Sequence, residues 1–147
     1  MKIWSKIGDL KFISDPLPPP KKLKVKLQGE AKKHQGSISG IYTVQPELVN
    51  NYPTWKQISS RTSIWINILT GRWNIGKTSD LGSITAGLIG PKAEDNWPQN
   101  LSGWEYGDVN TNSFVDAGSD IVIEDYSKGN YENNTYQLRT IFKFIQY

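Results

Sequence analysis

His34 is the only histidine in the chain, and there is no cysteine. A Ser-His-Asp arrangement would therefore have to use His34, which lies in the polar run Lys32-Lys33-His34-Gln35-Gly36 and reads as a solvated loop residue. Neighbouring carboxylates occur at Glu94/Asp95 and Glu124/Asp125. Adjacent residues on a strand point to opposite faces, so Glu124 and Asp125 cannot act as a dyad if both are extended. Phosphate-loop, GxSxG and HExxH signatures are missing. These residues point to a protein that is not an enzyme.

Oxygen ligands recur with calcium-loop spacing at Asp108, Asn110, Asn112 and Asp116, the first, third, fifth and ninth positions of such a loop. Ser113 stands where the turn glycine belongs and Ser119 where the closing acid belongs. The competing reading is an Asn/Asp-rich turn between strands. Calcium is the one ion the spacing suggests, and no other cofactor is called for.

Aromatic residues offer a different chemistry. The chain holds six Trp, seven Tyr and four Phe. Sugars present C–H faces that lie on aromatic rings and hydroxyls that suit amides and guanidinium groups. Trp65 is flanked on one predicted strand face by Asn67, Arg72 and Asn74, and Tyr52, Trp55, Trp97, Trp104 and Tyr106 could extend that surface. The same face could instead be covered, by a second sheet or by another subunit.

Charge is distributed unevenly. Residues 1–33 carry nine Lys against Asp9, Asp15 and Glu30, whereas residues 34–147 carry eight basic and eleven acidic side chains. Lys21, Lys22, Lys24, Lys26, Lys32 and Lys33 are the candidate contacts to a polyanion. The alternative is a solubilising tail. Nucleic acid is disfavoured, because the lysines are concentrated in the arm and the body is mildly acidic.

The elements that must position these groups read as β. Residues 15–20, Asp-Pro-Leu-Pro-Pro-Pro, form a polyproline II spacer, which separates an N-terminal extension (1–22) from one β domain (23–147). Strands are expected at 23–27, 40–44, 54–58, 83–89, 103–106, 121–123 and 137–145, with a polar loop over 28–39. The clearest element is a hairpin over 63–76 around Thr70-Gly71. A two-residue loop there opposes Ile66 to Ile75 and Ile68 to Trp73. It puts Ile64, Ile66, Ile68, Trp73 and Ile75 on the core face and Trp65, Asn67, Leu69, Arg72 and Asn74 on the other. About seven to nine short strands imply an all-β antiparallel sandwich or small barrel. No apolar run reaches the roughly 18 residues of a membrane span. The opening MKIWSKIGDL has no apolar run or cleavage site of a signal peptide, and the compartment stays open.

The succession Gly40-Ile41-Tyr42, Tyr52-Pro53-x-Trp55, Ile64-Trp65-Ile66-Asn67, Trp73-x-Ile75-Gly76, Gly90-Pro91, Trp97-Pro98 and Trp104-x-Tyr106 resembles a short Trp-rich β repeat of aquatic invertebrate and algal proteins, over residues 36–124. The resemblance implies an extracellular or matrix-facing module and carries no catalytic residues. Two functions follow from the sequence. One is a non-catalytic module that binds glycan through an exposed aromatic face. The other is a structural or assembly protein, self-associating through aromatic β surfaces as a homo-oligomer, with a Lys-rich arm for a matrix polyanion.

Overall fold

The computed structural model describes residues 17–127. The strand expected at 137–145 and the chain before residue 17 lie outside the described residues. Among the described residues, nine strands form one antiparallel sheet: β1 (Lys22–Leu27), β2 (Gly40–Val44), β3 (Trp55–Gln57), β4 (Thr62–Ile66), β5 (Arg72–Lys77), β6 (Leu88–Lys92), β7 (Glu105–Asp108), β8 (Ser113–Asp116) and β9 (Ile121–Asp125). Their order is β8-β7-β6-β5-β4-β3-β2-β1-β9, a meander whose last strand returns beside the first.

That order forces the sheet to curl. Among the described residues β8 and β9 are its two edges, yet only residues 117–120 join them. Across a flat sheet of this width the edges would lie about 38 Å apart at roughly 4.8 Å per strand. The connection reaches about 17 Å when fully extended. The sheet therefore bends into a curled half-barrel, and its edges approach each other.

The concave side is the core. Direct cross-strand partners run without a break from Val44 through Trp55, Ile64, Ile75, Leu88 and Tyr106 to Val115. Leu23, Val25 and Leu27 of β1 continue the same side beside Ile123 and Ile121. Trp55 and Trp73 meet edge to face at 5.7 Å between ring centroids, a favoured aromatic geometry. Each buried Trp withdraws enough surface from water to contribute about 4–6 kcal/mol as an upper bound.

Part of the segment read as a loop is a helix. α1 (Gly29–Gln35) follows β1 and runs into a 3-10 turn at Gly36–Ile38. Its N-cap Gln28 makes no side-chain cap, and the helix has only seven residues, so sequence signals for it are lacking. α1 buries Ala31 and packs on β7, near the opposite edge of the sheet. Gln35 Nε2 donates to the Gly107 carbonyl at 2.8 Å. The Val109 N–H donates to His34 Nδ1 at 3.0 Å, and the imidazole stacks on Tyr106 at 5.3 Å. His34 is thus a helix residue that locks the half-barrel, not a solvated loop residue.

The hairpin forms with a shifted register. Ile64 opposes Ile75, Trp65 opposes Asn74, and Ile66 opposes Trp73. The loop spans residues 68–71, because Asn67 starts the turn early. Its Oδ1 accepts from Leu69 N–H at 2.9 Å, and its carbonyl accepts from Gly71 N–H at 2.7 Å, with Gly71 at φ +73°. The shift is two residues, so side-chain parity is kept and the faces of Ile64, Ile66, Trp73 and Ile75 stand. Ile68 leaves the core and is exposed in the loop.

β6 lies later than expected and runs through Gly90 and Pro91 instead of stopping before them. Proline lacks a ladder N–H, and the register with β5 slips between Arg72 and Asn74, opposite this point. Gly90 is also required by the core: a Cβ there would sit 2.7 Å from the Trp104 ring. Among the described residues, no helix is long and apolar enough to cross a membrane.

Candidate functional site

The face expected to carry open aromatic residues is closed. Trp65 and Asn74 are 0% exposed and Asn67 is 6% exposed. The connection between β5 and β6 folds back over them. Trp65 Nε1 donates to the Ser83 carbonyl at 2.9 Å, and Asn74 Nδ2 approaches the same oxygen at 3.4 Å. Gly76 makes room for this cover, since a Cβ there would lie 2.9 Å from Ala86 Cα. Asn50 adds a clamp by donating from Nδ2 to the Ile66 and Gly82 carbonyls. Trp55, Trp104 and Tyr106 are buried in the core on the concave side. Arg72 is half-buried, with Nε donating to the Gly90 carbonyl at 2.6 Å and Nη2 lying 3.6 Å from Glu105. Of the residues expected to make one aromatic binding surface, six are divided between two buried layers, Arg72 and Trp97 are half-buried, and Tyr52 is exposed.

Of the calcium-loop residues, Asp108, Asn110 and Asn112 share the β7–β8 turn, whereas Asp116 lies at the far end of β8. Asp108 and Ser113 pair at one end of the β7–β8 ladder, and Asp116 pairs with Glu105 at the other. Asp108 Oδ1 accepts from the N–H groups of Asn110 and Thr111 at 2.8 and 3.2 Å, closing an Asx turn, and Asn112 sits at φ +60°. Asp116 Oδ1 accepts from Gly118 N–H at 2.9 Å. The extended β8 strand separates residues that a calcium loop would wrap around one point. Residues 108–112 form an Asn/Asp-rich turn, and β8, which the sequence did not suggest, follows it.

The candidate polyanion lysines divide into paired and open groups. Lys26 pairs with Glu124 at 3.0 Å and Lys33 with Glu30 at 2.9 Å. The contact to Glu30 holds the Lys33 pKa above the ordinary lysine value. Lys24 lies over the Tyr126 ring at 5.6 Å. Lys22 is half-buried in β1, while Lys21 and Lys32 are exposed.

A second basic group gathers where the sequence shows no cluster. Lys56, Arg61 and Lys77 line a cleft of about 530 Å³ together with Thr78 and Ser79. Strand pairing assembles it. β3 opposes Lys56 to Ser63, β4 opposes Thr62 to Lys77, and Arg61 lies in the turn between β3 and β4. Thr78 N–H donates to the Arg61 carbonyl at 2.7 Å, and the Thr78 and Ser63 hydroxyls share a hydrogen bond of 2.8 Å. These contacts fix the turn that presents Ser79. Among the described residues, none of the three cations takes part in an ion pair. Like charges held around one cleft repel one another, and an anion that enters relieves the repulsion and gains attraction from all three. Their positions at 56, 61 and 77 show no periodicity along the chain. The register pairs Lys56 with the outer face through Ser63 and Lys77 with the core face through Thr62, so the two lysines flank the sheet end from opposite faces, and Arg61 lies in the turn between them.

A buried polar network joins residues next to these cations along β3 and β4. Tyr42 donates its hydroxyl to the Ile38 carbonyl at 2.6 Å and shares a 3.0 Å bond with Thr62 Oγ1. Gln57 Oε1 accepts from Thr62 Oγ1 at 2.7 Å and from Ser60 Oγ, and its Nε2 donates to the Ser39 carbonyl. Burial pushes the Tyr42 phenol well above its ordinary pKa. Gly40 is needed here, because a Cβ would fall on the Gln57 amide. The network anchors the ends of β3 and β4 from which Lys56 and Arg61 project.

Compared with known family models, curated proteins and solved structures, the chain matches none.

Proposed function

We propose that this protein is a non-catalytic module that binds an anionic polysaccharide through the Lys56–Arg61–Lys77 cleft. The observation that carries this reading is that three cations without ion-pair partners among the described residues take part in the lining of one cleft. Thr78 and Ser79 add hydroxyls able to bond sulfate, carboxylate or sugar oxygens. A sugar polymer is favoured over nucleic acid because base stacking needs open aromatic faces. Trp55, Trp65, Trp73 and Trp104 are buried, and the cleft lining holds no aromatic residue. Trp65, the centre of the neutral-glycan platform, is buried, which favours the cleft as the binding surface. The exposed Lys21 and Lys32 would add long-range attraction to the same ligand.

The test compares three polymers at fixed salt: heparin, unsulfated dextran and single-stranded DNA. The expected result is saturable heparin binding, no dextran binding and weaker DNA binding. Equal or tighter DNA binding, or heparin binding that survives replacement of all three cleft cations by alanine, would overturn the reading.

A further inference from the structure

Two tryptophans grip the chain's own proline run. Trp97 Nε1 donates to the Leu17 carbonyl at 3.1 Å, and Trp55 Nε1 donates to the Pro20 carbonyl at 2.8 Å. The rings meet edge to face at 6.3 Å. Leu17 and Pro20 are three positions apart, and Pro18, Pro19 and Pro20 are consecutive. Proline fixes its own φ and pushes the residue before it into extended geometry. A run of this kind is confined to polyproline II, which repeats every three residues. Carbonyls at positions i and i+3 then project from the same side. The two indole N–H groups are spaced to meet that pair.

The contact is a local attachment beside the sheet. Pro20 is buried, whereas Leu17 is 77% exposed and Pro18 is exposed. Lys21 is bonded to β2 through its carbonyl, which accepts from Val44 N–H at 2.9 Å. The Pro-rich stretch therefore belongs to the folded unit from residue 17 onward and is not a spacer outside it.

We propose that the Trp55–Trp97 groove is a recognition site for proline-rich peptides, and that residues 17–20 are its resident ligand. The partner it fits is a polyproline II segment that offers two free carbonyls one turn apart and a small apolar face. Aromatic grooves recognise such segments because the ligand is already ordered and loses little entropy on binding. Attachment directly ahead of β1 holds the resident segment at a very high effective concentration. A peptide in trans competes only when that segment is weakened.

The experiment uses the full chain with Pro18→Gly, Pro19→Gly and Pro20→Gly combined. The probe is a synthetic peptide of residues 15–22, and the readout is the indole N–H resonances of Trp55 and Trp97. In the triple variant both resonances are expected to move away from their wild-type positions. The peptide should return them saturably, at least tenfold more tightly than a version with alanine for the three consecutive prolines. It should leave the wild-type chain unchanged. Indole resonances that stay at wild-type positions in the triple variant would overturn the proposal, as would equal affinity for the alanine peptide. If the triple variant does not fold, Trp97→Phe serves instead. It keeps a ring and removes the donor, and solvent exchange of the Trp55 indole N–H should accelerate at least tenfold. Unchanged exchange would overturn the proposal.

Discussion

Trp65 donates its indole N–H to the Ser83 carbonyl at 2.9 Å, and this bond holds the β5–β6 connection over the outer face of the hairpin. A side chain whose strand face suggested a binding platform is thereby a second, smaller core. Its 0% exposure places its value in stability. Trp65→Ala is expected to cost about 3–5 kcal/mol, the range for emptying a buried aromatic site. Trp65→Phe should keep much of the packing and lose the hydrogen bond. Urea denaturation measures both. In chains that remain folded, heparin affinity should be unchanged.

Gly90→Ala is expected to destabilise by about 1–3 kcal/mol, the usual cost of overpacking. The added methyl would press on the Trp104 ring in the core, where the ring cannot swing into solvent. Thermal unfolding measures the loss. The companion change Gly71→Asn should be mild, because Gly71 sits at positive φ in an open turn with no neighbour within reach of a Cβ.

Tyr42 gives an alkaline signature. Burial raises its pKa in the folded chain. The unfolded chain releases the phenolic proton near pH 10 while the folded chain retains it. Above that pH the unfolded state binds fewer protons, so stability falls with rising pH by up to about 1.4 kcal/mol per unit from this residue. Below pH 9 the contribution is constant. Denaturant midpoints between pH 8.5 and 11.5 should fall more steeply for the wild type than for Tyr42→Phe. Parallel curves would contradict the assignment.

Much of the fold was legible because its signals are local. Leu23, Val25 and Leu27 alternate with lysines, and the hairpin faces segregate by parity, so β1, β4 and β5 follow from the sequence. Parity is blind to the two-residue slip: only the Asn67 turn chemistry decides between the two loops. α1 was hidden because its stability comes from packing on β7 through His34 and Gln35, which lie over 70 positions from their partners. The closed outer face was hidden for a similar reason. Alternation shows that Trp65 points away from the main core, but not that residues 79–87 fold back over it. The cleft cations come from three separate segments, and none stands in a basic run. Runs of lysine drew attention to β1 and α1, where acids already answer part of the charge.

The most direct test of the account is the salt dependence of heparin binding by the wild type and by Lys56→Ala/Arg61→Ala/Lys77→Ala. Each cation that displaces counterions contributes about 0.9 to the slope of log affinity against log salt in the DNA case. The triple variant is expected to fold normally, to bind at least tenfold more weakly at about 0.1 M salt, where screening is moderate, and to lose roughly two to three units of slope. An unchanged slope in the triple variant, with the loss appearing instead in Lys21→Ala/Lys32→Ala, would contradict it.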